Sequence, residues 1–347
     1  MKIKRYIECN YAPEVCNLKC DYCYLSQEDR KEQRVLKEKY TPKFVRKALS
    51  TKRLGGECFI SLSVAGETLH SDYIIEIAIE LLKEGHIVNI TTNGTLNNKF
   101  IDLLNRDNVP YDRLLITFSL HYIELIRTNL IDKFWENVKY VKNRGVSYYI
   151  KLNLYDKYIP YLDNIIEMCE KNTGDKPQIE VTRKINGDRH TFMTQMSNRN
   201  YYESAKEYNS KLFEFTFYNF NKNRKEYFCY AGDWSLVVDL RSGETRGCYC
   251  DCRHQNIYNL DQNIKFSAIG NNCRKYCHNG QHFLAMGVIP DLKIPSYLAL
   301  RKYESNVSLK SLQEHMGEYR LIDANREYSK IHKMIANFLY KWKIRNE

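Results

Sequence analysis

Twelve of the 347 residues are cysteine, and nine of those fall into two groups whose spacing could do chemistry. The first group is tight: Cys16-Asn17-Leu18-Lys19-Cys20-Asp21-Tyr22-Cys23. Three thiols so close together can wrap three corners of an iron–sulfur cube and leave the fourth iron without a protein ligand. Zinc usually takes four protein ligands, often from CxxC pairs, and no fourth ligand lies near this run. The second group is spread from Cys229 to Cys277. Cys229 and Cys248 flank a hairpin pattern, Cys273 and Cys277 follow about two dozen residues later, and four such thiols suit one further [4Fe–4S] cluster or a structural zinc site. Cys250 and Cys252 are left over. If Cys248–Cys252 is extended, alternate thiols share a face. Cys9, Cys58 and Cys169 stand alone in apolar contexts and read as small buried hydrophobes.

Positioning these groups needs a framework, and the first half of the chain supplies a repeating one. Lys2–Cys9, Cys58–Ser63, Ile87–Thr92, Leu114–Leu120, Ser147–Leu154 and Gln178–Thr182 read as short apolar strands covered on both faces. Helical patterns alternate with them at Asp72–Lys83, Asn97–Leu104, Lys133–Lys142 and Asp163–Lys171, the first with Ser71 as N-cap and Gly85 as stop. The alternation predicts an α/β fold with a parallel sheet, curled as a partial barrel. After residue 190 the pattern changes. One helix is expected near Tyr202–Phe215, then a hairpin of Ser235–Leu240 and Thr245–Cys250 around Gly243. The tail ends in an amphipathic helix, with Tyr328, Ile331, Ile335, Phe338, Leu339 and Trp342 on one face. That stripe is expected to pack against the core.

The cysteine triad and four downstream motifs together resemble the radical S-adenosylmethionine (SAM) superfamily. Ala65-Gly66-Glu67 is similar to the family's GGE turn, with Ala for the first Gly, which hydrogen-bonds the SAM amino group. Thr92-Asn93-Gly94 is similar to its TNG turn near the ribose. Ser119 stands where the family often holds the SAM carboxylate or ribose, and Lys151 and Asn153 are candidates for the same pocket, with Tyr22 beside the last cysteine of the triad. The resemblance implies a partial (β/α)6 TIM barrel whose site lies at the C-terminal ends of the strands. It also implies that SAM binds the open iron and yields a 5′-deoxyadenosyl radical, which takes hydrogen from a substrate C–H bond. The pattern Cys229-x13-Gly243-x4-Cys248 resembles the opening of the SPASM/twitch extension. The chain lacks the C-x2-C-x5-C-x3-C run of a full SPASM domain, so the one-cluster twitch form is expected, with Cys229, Cys248, Cys273 and Cys277 as ligands. Cys250 and Cys252 could then replace a ligand, bind a second cluster, give a hydrogen atom to a substrate radical, or be spare.

The expected substrate is a ribosomally made peptide that is crosslinked, oxidised or epimerised. The alternative is a carbohydrate or nucleotide-linked sugar, mildly favoured by a triad that starts at residue 16 with no peptide-recognition domain before it. A non-catalytic electron carrier or RNA-binding protein would leave the SAM motifs unexplained. A flavodoxin or ferredoxin-like electron donor is implied. The net charge of +11 suits an anionic partner, yet Lys and Arg are scattered, as on a solvated surface, and no nucleic acid is expected. Hydrophobic content of 43% and charged content of 27% are those of a globular protein. With no apolar h-region and no membrane-length run, a cytoplasmic protein without membrane partners is expected, where clustered thiols mean metal or catalysis rather than disulfides. The expected organisation is a core over 1–190, a connecting segment over 191–227, an auxiliary-cluster domain over 228–290 and a helical tail over 291–347.

Overall fold

A computed structural model describes residues 2–11, 15–27, 38–184, 191–220, 222–277, 280–303 and 307–346. Six strands run in sequence order through its centre: β1 (Arg5–Tyr11), β2 (Cys58–Val64), β3 (Ile87–Thr92), β4 (Leu114–Ser119), β5 (Ser147–Leu154) and β6 (Gln178–Val181). All five neighbouring pairs are parallel. Sequential order in a parallel sheet is that of a (β/α) barrel. Among the described residues the sheet order ends at β6, with no pairing that closes the barrel.

The two faces of the sheet differ in chemistry. Outward residues such as Ile60, Leu62, Ile90, Phe118 and Leu152 are buried against helical Ile74, Ile75, Phe100, Phe134, Val138 and Ile165. Burying each such side chain is worth about 1.5–3 kcal/mol relative to leaving it in water. The inward residues change along the strands. At the N-terminal end Tyr6, Phe59, Ile87, Leu115 and Tyr149 join a second core with Phe283, Leu284, Tyr297, Leu312 and Met316 from the C-terminal third. Further up, the same face carries Glu8, Ser61, Asn89, Thr117, Lys151 and Glu180. Asn89 ties this layer together, donating to Ser61 Oγ at 3.3 Å and accepting from Thr117 Oγ1 at 2.8 Å.

A short strand pair, β7 (Arg183–Lys184) and β8 (Thr191–Phe192), follows the barrel. Two helices, Asn198–Lys206 and Lys211–Phe220, replace the single one expected near Tyr202–Phe215. The break falls at Tyr208–Ser210, where Asn209 takes a left-handed conformation (φ 54°) and Ser210 Oγ is captured by the β6 backbone at Ile179 N, 3.0 Å away. The hairpin is present as β9 (Ser235–Asp239) and β10 (Glu244–Arg246), with β11 (Gln255–Asn256) beside it, and β9 pairs parallel to β1. The sheet therefore continues from the barrel into the cysteine-rich region. The second hairpin strand stops at Arg246 instead of reaching Cys250. Asp251 captures the Gly247 N–H at 3.1 Å and is itself held by Arg253 at 2.9 Å, which turns the chain.

The C-terminal helix (Lys330–Asn346) is in place, but its orientation corrects the expectation. The face that packs is Lys333, Ala336, Asn337 and Tyr340. Asn337 accepts from Asn271 N at 2.9 Å, and Tyr340 lies under the Arg253 guanidinium, 4.4 Å from ring centroid to Cζ. The Ile331–Trp342 stripe faces outward. Among the described residues no helix is long and apolar enough to cross a membrane.

Candidate active site

The cysteine triad sits on the loop that leaves β1 at its C-terminal end, and residues following β2, β3, β4 and β5 hold that loop. From β2, Val15 O accepts the Glu67 N–H at 2.8 Å. Gly66 makes this contact possible: at φ 116°, an added Cβ would lie 2.3 Å from Val15 O. From β3, Asn93 Nδ2 donates to Asn17 Oδ1 at 2.8 Å and reaches Cys16 Sγ at 3.8 Å, while Asn17 donates to Thr95 Oγ1 at 2.8 Å. From β4, Glu124 accepts the Lys19 N–H at 2.8 Å and is gripped by Arg127 at 2.7 Å. From β5, Lys157 and Tyr155 meet Asp21, an exposed contact worth little in energy. Gly94 (φ 74°) is packed so closely that a Cβ would meet Phe134 at 2.7 Å.

Glu67 and Tyr22 are both buried and hydrogen-bonded to protein groups beside the cysteine loop. The Glu67 carboxylate is buried and accepts from Leu69 N at 3.0 Å, Thr92 Oγ1 at 2.5 Å and Asn93 N at 2.7 Å. It braces the β2 and β3 turns against each other, leaving the Ala65–Gly66 backbone and the Asn93 side chain nearer the cysteines. Burial raises its pKa, and these donors offset only part of that rise. Glu67→Gln turns an amide N–H2 toward groups that already donate, and should cost about 1–3 kcal/mol. We expect a lower melting temperature and weaker SAM binding in the same variant, read by thermal denaturation and calorimetry. Unchanged SAM affinity would separate the brace from the site. Tyr22, also buried, shares a 2.5 Å hydrogen bond with His121 Nδ1 and accepts from Tyr158 OH at 3.1 Å. Burial, then Lys151, push the His121 pKa down to about 4, so its ring is neutral at pH 7. Asn17, His121, Glu124 and Tyr158 are loop supports that no short motif marks; only their position just past a strand or cysteine hints at it.

Ser119, Lys151 and Asn153 line the inner face of β4 and β5, with Lys151 Nζ 3.9 Å from Glu180 Oε2. Cys16, Cys20 and Cys23 are brought together on their loop, and burial pushes the Cys16 thiol up to about 11. Ligation as thiolates therefore requires compensating positive charge, which iron supplies.

Most of the second cysteine group surrounds a small void that is partly open to solvent. Cys229, Cys248, Cys250, Cys273 and Cys277 all line it, and much of the remaining wall is apolar, including Phe283, Leu284, Val288 and Ile289. Cys229 is fixed by backbone pairing with Gly270, which precedes Cys273. Burial pushes its thiol up to about 12. Cys252 is exposed, off this wall, and lies beside Tyr340 of the C-terminal helix. Among the described residues no three His, Cys, Asp or Glu side chains converge on a single-ion site. The thiols stand around the void instead.

One further residue of the wall is out of keeping with an apolar cavity. Arg224 is 1% exposed, and among the described residues its Nε and Nη1 have no hydrogen-bond partner, while Nη2 donates to Asn219 O at 2.5 Å. A buried cation with two orphaned N–H groups calls for an anion. A cubane bound by four thiolates carries net negative charge, so the residues present fit such a group. Tyr249 completes the arrangement. It lines the void, and its hydroxyl donates to Glu8 Oε1 at 2.5 Å and lies 3.0 Å from Asn10 Oδ1, both on β1. A single side chain thus connects the void with the barrel interior.

Comparison with known proteins agrees with this geometry. Residues 12–170 match the family model described as Radical SAM superfamily. The chain is similar in structure to Streptococcus suis SuiB bound to S-adenosylmethionine, with a TM-score of 0.51 and 17% identity over 93% of this chain and 78% of that one. SuiB bound to precursor peptide SuiA gives a TM-score of 0.51 and 17% identity over 94% and 77%. Histidine-tagged anSMEcpe with bound AdoMet gives 0.51 and 15% over 97% and 93%. At these identities the likeness is one of fold. No curated protein matches the sequence.

Proposed function

We propose that this radical SAM enzyme modifies a C–H bond of a peptide, using one iron–sulfur cluster on the Cys16–Cys23 loop and a second in the Cys229–Cys277 void. The observation that carries the reading is the triad itself, held at the C-terminal edge of the parallel strands, where three thiolates would hold an iron–sulfur cluster and leave room for SAM to bind it. When bound, the reduced cluster and SAM supply a 5′-deoxyadenosyl radical able to take hydrogen from an unactivated C–H bond. The chain's own residues do the rest. Asn93 and the Leu18 N–H lie at 3.8 and 3.5 Å from Cys16 Sγ and temper its charge. The Ala65–Gly66 backbone, Thr92, Ser119, Lys151 and Asn153 are assigned to the SAM pocket. The polar inner face from Glu8 to Glu180 is where a substrate segment would lie, screened from water by the surrounding sheet.

The peptide assignment draws support from SuiB, whose fold this chain shares and which is solved with its precursor peptide SuiA. Cys229, Cys248, Cys273 and Cys277 are assigned to an auxiliary [4Fe–4S] cluster, and the boundaries near residues 190, 227 and 290 to the corresponding units. A flavodoxin or ferredoxin-like donor in the cytoplasm is the proposed source of electrons.

Cys250 and Cys252 are the proposed hydrogen donors if the outcome is epimerisation. A thiol S–H is weaker than most C–H bonds, so transfer to a carbon radical runs downhill. The resulting thiyl radical is restored by one electron from the donor protein and one proton from solvent. Reaction in deuterated water should then place one deuterium at the inverted carbon, and Ala at the donor should abolish inversion while sparing 5′-deoxyadenosine. A peptide product lighter by two hydrogens, without deuterium, would assign oxidation and make both thiols structural. Conversion of nucleotide sugars but of no peptide would overturn the substrate class.

A further inference from the structure

The C-terminal helix is built the wrong way round for a core element. Ile331 (69% exposed), Met334 (71%), Ile335 (47%), Phe338 (67%), Leu339 (50%) and Trp342 (58%) form one outward ridge. At 3.6 residues per turn they occupy roughly 140° of the helix circumference. The opposite face is docked through Lys333, Ala336, Asn337 and Tyr340, so the ridge cannot turn inward. Between the two faces, the same geometry places Lys330 and Lys341 along one edge of the ridge and His332 and Lys343 along the other. No Asp or Glu occurs from residue 328 to 346.

An apolar ridge with cations on both edges is complementary to a surface that is apolar below and negative above. We propose that this helix is an interfacial anchor that seats the enzyme on an anionic lipid bilayer, lying in the plane of the headgroups. Charge argues against the other occupants. Two copies of the chain would bring like-charged edges together. A protein partner would need a groove of its own lined with acidic residues on both sides, whereas a bilayer presents both features everywhere and deforms to a convex ridge. Met, Phe, Leu and Trp side chains are long enough to enter the acyl boundary while Lys stems reach up to the phosphates. The absence of a spanning helix among the described residues is compatible with this mode, and the proposal replaces the expectation of no membrane partner. It is independent of the substrate and of both clusters.

The test is co-sedimentation of the full chain with vesicles of roughly 70% phosphatidylcholine and 30% phosphatidylglycerol, against vesicles of phosphatidylcholine alone. The anionic vesicles should bind about tenfold or more tightly, since each engaged Lys is worth about fivefold, and raising the salt should weaken binding. The variant carrying Ile331→Ser, Met334→Ser and Phe338→Ser should lose about tenfold or more while melting at the same temperature and releasing the same 5′-deoxyadenosine, because these side chains touch neither core nor site. Absence of binding to anionic vesicles overturns the proposal, as does an unchanged affinity in the triple variant. If light scattering shows a dimer that the triple variant converts to monomer, the ridge is a self-association surface and the proposal fails. If an acidic amphipathic helical peptide binds and vesicles do not, the occupant is a protein and the proposal fails equally.

Discussion

Alanine at Cys16, Cys20 and Cys23 together should abolish release of 5′-deoxyadenosine from SAM under reducing conditions. The loss should be at least about a thousandfold, which corresponds to roughly 4 kcal/mol of transition-state stabilisation. Without three thiolates no cube is held, and no iron is presented to the amino acid end of SAM. Bound iron should fall from about eight to about four per chain, as expected for two cubanes reduced to one. The fold should survive, because the loop is held by groups other than its cysteines: Val15 to Glu67, Asn17 to Asn93 and Thr95, and Lys19 to Glu124. Iron analysis, circular dichroism and mass spectrometry of the nucleoside separate these outcomes. A variant that keeps the second cluster but releases no 5′-deoxyadenosine assigns the first role to the triad alone.

Arg224→Met should change stability in opposite directions with and without metal. In the metal-free protein a buried guanidinium with orphaned Nε and Nη1 is costly. Replacing it with an apolar side chain of similar length removes that cost, so the melting point should rise by an amount corresponding to about 1–3 kcal/mol. In the reconstituted protein the same change removes the cation facing the cysteine-lined void. The auxiliary cluster should then be lost to chelator faster, and the melting point should fall below that of the loaded wild type. Cys229→Ala should eliminate about four irons outright while leaving 5′-deoxyadenosine release intact. Stoichiometric zinc in the natively purified protein, with no absorbance near 400 nm after reconstitution, would assign the void to a structural metal instead.

The strands of the barrel were legible because each is a short apolar run whose outward residues meet helices of regular 3.6 periodicity. Ile87–Thr92 and Ser147–Leu154 lie where that pattern places them. The chemistry of the inner face was harder to read. Glu8, Asn89 and Thr117 interrupt apolar runs, and only the strand register puts them on a common surface. The spacing of the triad marks three candidate ligands, whereas the residues that hold the loop come from four separate strand ends and share no local signature. Arg224 illustrates the limit most clearly. In the sequence it is one of many scattered cations, and its meaning comes from cysteines up to Cys277 that the fold brings around it. The helix break at Asn209 and the turn at Gly247 both arise where a side-chain oxygen from another part of the chain, or from a few residues on, captures a backbone N–H. The C-terminal stripe reads as amphipathic, but periodicity gives a face and not its direction: Tyr328 packs on Tyr230, whereas the residues from Ile331 to Trp342 in the stripe face outward.

The central proposal is that the Cys16–Cys23 loop presents a cluster iron to SAM and that the barrel directs the resulting chemistry at a C–H bond. The most direct measurement is anaerobic reconstitution of the full chain with iron and sulfide, reduction with dithionite in the presence of SAM, and quantification of 5′-deoxyadenosine and methionine by mass spectrometry. Both products are expected in equal amounts, formed slowly without substrate, faster with a peptide substrate, and not at all by the triple Ala variant. Reconstituted, iron-loaded protein that binds SAM but releases neither product, or a triple variant that releases both, would contradict that claim.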